Sequence, residues 1–153
     1  MRKFILIVLT ALILLTNCLC CFAEIETKVD EFDGAVTIKS TYEITPFYNV
    51  TFGDYDGYVC LVFVRFAATM HYFDSIDIKI NKRIYKLENI HHDGKIIDGV
   101  VRTSAVVFVG ERGQRAIKDA NKIQIRVYYT DKPSSTFKIP DSVLTEWKTI
   151  LFK

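Results

Sequence analysis

Alternation of apolar and polar side chains constrains this chain more than any other feature, because only an extended strand places every second residue on one face. Val36, Ile38, Tyr42 and Ile44 alternate with Thr37, Lys39, Thr41 and Glu43, which predicts a half-buried strand closed by Pro46. Phe47 to Phe52 reads as a second short strand, and Gly53-Asp54-Tyr55-Asp56-Gly57 is dense in turn formers. From Val59 to Ala68 the only charge is Arg65. Such a run, rich in β-branched and aromatic residues, predicts a central strand covered on both faces.

Ile76, Ile78 and Ile80 face inward across Asp77 and Lys79, and Asn81-Lys82 turns them into a hairpin with Arg83 to Leu87. Asn89 to Gly99 reads as a polar loop, and Val100 to Val109 as another strand. Ala116, Ile117 and Ala120 sit at helical spacing, so a short helix is expected within 111–121. Strands return at Lys122 to Thr130 and at Thr136 to Ile139. Pro140-Asp141 opens a C-terminal amphipathic helix, with the Asp141 carboxylate expected to cap it and Val143, Leu144, Trp147, Ile150 and Leu151 on one stripe. Glu24 to Asp33 reads as a loose lead-in. About seven short strands with these helices predict a mainly β chain, either an antiparallel β-sandwich or a partly open barrel.

The first 23 residues read as a signal peptide, leaving 24–153 as a single β-rich domain. Arg2 and Lys3 precede an apolar run from Phe4 to Leu15 that only Thr10 interrupts. About 12 residues is too short to cross the hydrocarbon core as a helix. Cys21-Phe22-Ala23 offers the small residues a signal peptidase groove takes, which implies cleavage after Ala23. Two rivals attach the chain to a membrane: an uncleaved anchor from Phe4 to Phe22, or lipidation of Cys18 within Leu15-Thr16-Asn17-Cys18. All point to a secreted, periplasmic or cell-envelope location. Only Cys60 lies in the domain, so no disulfide can form within it.

The chain carries 20 Lys and Arg against 18 Asp and Glu. Removing the leader removes Arg2 and Lys3 and leaves a formally neutral domain. That excludes a domain-wide electrostatic footprint for nucleic acid while leaving room for a local patch.

His91-His92-Asp93 is the one cluster with metal-ligand chemistry, but adjacent residues on an extended segment point to opposite sides, so no metal or other cofactor is expected. His71-Tyr72-Phe73-Asp74 follows the central strand and reads as a corner with aromatic residues in the core. Cys60, between Val59 and Leu61, reads as a buried, inert thiol rather than a nucleophile. Ser104 lacks the glycines of a nucleophile elbow, and Gly110-Glu111-Arg112-Gly113 lacks the spacing of a phosphate loop. Arg112, Arg115 and Lys118 alternate with Glu111 and Asp119 as a solvated helix face would. Tyr55 and Tyr58 flank a turn and Tyr128 lies on a polar strand face; exposed tyrosine gives large contact area at low entropic cost, so these three form the expected binding rim.

Phe32-Asp33-Gly34 leading into a strand, Ile123 to Val127, and Pro-Asp followed by Glu146-Trp147-Lys148 together resemble small secreted or lipid-anchored proteins of bacteria. That resemblance implies location and fold and carries no activity. The expected function is therefore a non-enzymatic envelope or extracellular binding or structural module. Its partner would be a protein or glycan at the cell envelope, not nucleic acid, with membrane contact only through Cys18 or an uncleaved leader. The alternative is an exported hydrolase or metal-dependent enzyme using His71, His91 or His92.

Overall fold

Ten strands and two helices follow one another in the computed structural model, which describes residues 24–87 and 90–152. The expected leader, with either cleavage after Ala23 or lipidation of Cys18, falls outside these residues. Strands β1 (Ile25–Val29), β2 (Val36–Thr45), β3 (Tyr48–Tyr55) and β4 (Tyr58–Ala67) form an antiparallel meander. Sheet A is completed beside β4 by β8 (Val100–Phe108) and at its edge by β7 (His91–Ile97). Sheet B has the order β10-β9-β5-β6, from β5 (Phe73–Ile80), β6 (Arg83–Leu87), β9 (Ile123–Tyr129) and β10 (Ser135–Ile139). Helix α1 (Glu111–Lys118) joins β8 to β9, and α2 (Asp141–Leu151) ends the fold.

Two antiparallel sheets share one core in a sandwich-like arrangement, as expected of a mainly β chain, and the described residues form no closed barrel. Val50, Phe52, Leu61, Phe63, Ala105 and Val107 of sheet A cluster with Ile76, Ile78, Ile123, Ile125 and Val127 of sheet B. The stripe of α2 is buried as its spacing predicts, and Trp147 stacks on Phe52 at 4.8 Å between ring centroids. Buried Ser40 donates a 2.7 Å hydrogen bond to Glu146, tying α2 to β2.

Four expectations are corrected. The lead-in at residues 24–33 contains an edge strand, β1, of which only Ile25 is half-buried. Its ladder to β2 and a 3.0 Å Lys39–Glu26 ion pair hold it, and backbone pairing of this kind leaves no side-chain period to read. The loop expected up to Gly99 contains β7, with all seven residues exposed, for the same reason. Its Asn89 lies outside the described residues. The outward face of β4 is not fully covered: Val62, Val64 and Phe66 are half-buried. Finally, Asp141 does not cap α2. Pro140 occupies the cap position and no side chain closes a hydrogen bond there, because Asp141 lies one residue inside the helix. Its carboxylate contributes only favourable charge near the first-turn N–H groups.

Candidate functional site

At one end of the sandwich the sheets part around a cleft of about 470 Å³. The inward face of β4 runs Val59, Leu61, Phe63 and then Arg65, so strand alternation itself delivers a cation to the mouth of an apolar core. Arg65 pairs in register with Tyr48 of β3. Tyr129, the last residue of β9, faces them, and Lys132 reaches over from the following turn with its ammonium 3.9 Å from the centre of the Tyr129 ring. Phe137 of β10 packs against Tyr48 at 4.6 Å, and Phe47, Phe66 and Ala68 complete the walls.

Of the polar groups of this cleft, the Thr45 hydroxyl accepts from the Phe47 N–H at 3.3 Å, but three others are unpaired. The hydroxyls of Tyr48 and Tyr129, both buried, have no hydrogen-bond partner among the described residues, and neither does Nη1 of half-buried Arg65. Arg65 and Lys132 make no ion pair among these residues. Orphaned buried donors are uncommon, and each costs about 1–3 kcal/mol. Burial lifts the Tyr48 phenol far above its ordinary range, and the neighbouring Tyr129 hydroxyl adds to the effect by its charge and as a hydrogen-bonding group at the edge of reach, with Arg65 opposing both, so the Tyr48 hydroxyl stays protonated. Burial also lowers the Lys132 ammonium, Arg65 lowers it further, and Asp131 opposes both. Two cations and two phenols thus converge in a lining that holds no carboxylate, an arrangement whose chemistry suits an anionic group.

Beside this cleft, His71 is held from both sides. Its Nδ1 lies 2.8 Å from Asp131 Oδ2, and its Nε2 lies 2.9 Å from Thr69 Oγ1. Thr69 follows the cleft residue Ala68, and Asp131 precedes Lys132. Hydroxyl, imidazole and carboxylate thus stand in the order that a nucleophile, its base and the orienting acid require.

The expected tyrosine rim is split. Tyr55 and Tyr58 face each other across the β3–β4 hairpin, Tyr55 half-buried and Tyr58 exposed beside Phe108. Tyr128 lies on sheet B, where its hydroxyl donates to Asp77 at 3.1 Å. His91 and His92 occupy successive positions on exposed β7, and no group of three His, Cys, Asp or Glu among the described residues can hold a metal. Cys60 is buried, and burial raises its thiol above the ordinary range, with Asp54 adding to the effect. No helix among the described residues is long and apolar enough to cross a membrane.

Sequence reasoning passed over the cleft. Its one available signal was the lone charge of Arg65 inside the most apolar run; Tyr48, Tyr129 and Lys132 become partners only through sheet packing. No family model matches the chain, and no curated protein or solved structure matches it.

Proposed function

We propose that the chain is an exported binding module, secreted or retained in the periplasm or cell envelope, that captures an anionic group of an envelope glycan or protein in the Arg65–Lys132 cleft. The leader supports export. The observation that carries the binding role is the set of orphaned donors, Tyr48 and Tyr129 hydroxyls with Arg65 Nη1, at the mouth of an aromatic cleft. The hairpin tyrosines Tyr55 and Tyr58 are the weaker rim, since neither presents a buried unpaired group. Titration calorimetry with glucuronate, and with neutral methyl glucoside as control, tests the reading. Binding of the anion alone supports it; equal binding of both, or of neither, overturns it.

Lys132 gives that binding a pH signature. Its lowered pKa means that the folded state holds its proton less tightly than the unfolded chain. Relative stability therefore rises with pH between the lowered value and the ordinary lysine value of about 10.4. A bound anion favours the charged ammonium, so affinity is expected to fall as pH rises through the same window. Lys132→Arg removes the titration and should flatten that profile in calorimetry repeated along the alkaline range.

A second reading, an exported hydrolase, is favoured by the Thr69–His71–Asp131 chain. Thr69 Oγ1 would attack an ester carbonyl, its proton passing to His71 Nε2 and on to the departing alcohol, and water would then release the acyl group from Thr69. On this reading His71→Ala lowers hydrolysis of p-nitrophenyl succinate by about 10²–10⁴-fold. Hydrolysis no faster than in buffer removes it and leaves the binding reading intact.

A further inference from the structure

The formal neutrality of the domain conceals a strongly basic groove between the β5–β6 hairpin and α1. Its open volume is about 850 Å³. Arg83 and Tyr85 line one wall, Arg112 and Arg115 the other, and Lys82 and Lys122 stand at the ends. Asp119 is the only carboxylate in the lining, and none of these five cations is ion-paired among the described residues. All five are exposed.

This crowding of like charge is fixed in place. Asn81 adopts the left-handed conformation, with φ 54°, at the hairpin tip. Its side-chain oxygen accepts from the N–H groups of Asn121 at 2.9 Å and Lys122 at 3.2 Å, while its own N–H donates to the Lys122 carbonyl at 2.9 Å. Three hydrogen bonds thus clamp the hairpin to the segment leaving α1 and hold the two walls apart. On α1, Arg112 and Arg115 are three residues apart and share one face, and Asp119, four residues beyond Arg115, is the one carboxylate the lining sets against the cations. Basic character continues around the hairpin onto sheet B, where Lys79, Lys86, Arg126 and Lys138 are exposed against the two strand acids Asp74 and Asp77.

We infer that this groove is a second binding site, one that takes a linear acidic polysaccharide. A planar guanidinium presents a fork of donors that matches sulfate and carboxylate bidentately, and paired forks on facing walls suit anionic groups repeated along a chain. A concave groove with cations on both walls favours a chain that can enter it over a bilayer, which meets a flat or convex face. Tyr85, half-buried in the same lining, supplies an aromatic face for a sugar ring. The site rests on different residues from the Arg65–Lys132 cleft and stands whether or not that cleft binds.

The test uses a heparin decasaccharide as probe, with phosphatidylglycerol vesicles and a single-stranded oligonucleotide as competing classes. The decasaccharide is expected to bind with an affinity that falls steeply as salt rises, since counterions are released. Arg112→Gln with Arg115→Gln should weaken it about tenfold or more and flatten the salt dependence. Arg83→Gln should act in the same direction from the opposite wall. Lys28→Gln, which removes a charge from the exposed edge strand β1 outside both sites, should leave it unchanged. The inference is overturned if the double variant binds the decasaccharide as tightly as the parent, or if vesicles or the oligonucleotide bind more tightly than the decasaccharide. Thermal unfolding of each variant, matched to the parent, separates loss of the site from loss of the fold.

Discussion

Trp147→Ala is expected to cost about 3–5 kcal/mol of stability, enough to leave much of a marginally stable domain unfolded. Trp147 is fully buried, stacks on Phe52 and lies on the α2 stripe that closes the core. Its removal leaves a void lined by rigid strands, which cannot collapse as a flexible surface would. Helix α2 has only 11 residues, too few to persist in water without that packing. The indole Nε1 has no partner among the described residues, so the ring is held by its apolar area and not by its polar atom. Trp147→Phe removes that orphaned donor along with part of the ring and should cost clearly less than alanine. Urea unfolding of the three proteins checks the order; equal losses for Phe and Ala would place the stabilisation elsewhere.

Arg65→Met should separate stability from binding, raising the first while abolishing the second. The guanidinium ends an otherwise apolar inward row, with one nitrogen buried and unpaired and Lys132 nearby as a second cation. A methionine of similar length fills the row without that desolvation, so a gain of about 1 kcal/mol is expected by denaturant unfolding. Glucuronate should bind at least tenfold more weakly, because the charge that completes the site is gone. A variant that is less stable than the parent, or one that still binds, would contradict the account of Arg65 as a residue held for its ligand. Evolution tolerates such strain at functional sites, where local rules are broken for a purpose.

The central strands were legible because each has one face in the core. Ile76, Ile78 and Ile80, or Ile123, Ile125 and Val127, state their orientation in a period of two, and the α2 stripe states its own in a period near four. Strands β1 and β7 were illegible because they are held chiefly by backbone hydrogen bonds, to which every sequence contributes equally. The candidate sites were hidden for another reason. Arg65, Tyr129 and Lys132 are brought together by sheet packing, and Lys82, Arg83, Arg112, Arg115 and Lys122 by the Asn81 clamp. In the sequence, Arg112 and Arg115 looked like a helix face balanced by Glu111 and Asp119; the balance fails once the hairpin adds its own cations to one side.

The strand order of sheet B also sets a timetable for folding. The β1–β4 meander is built from neighbours in sequence, whereas β5, paired locally with β6 on one side, finds its other partner only in β9, as the Asp77–Tyr128 hydrogen bond shows across 51 residues. Local hairpins close small loops cheaply, and distant pairings must wait for a larger loss of chain entropy. The meander can therefore assemble while half of its lid is still missing, with Val50, Phe52, Leu61 and Phe63 facing water until β9 arrives. The span between first and last pairing is the interval in which a newly made chain is most prone to stick to its neighbours.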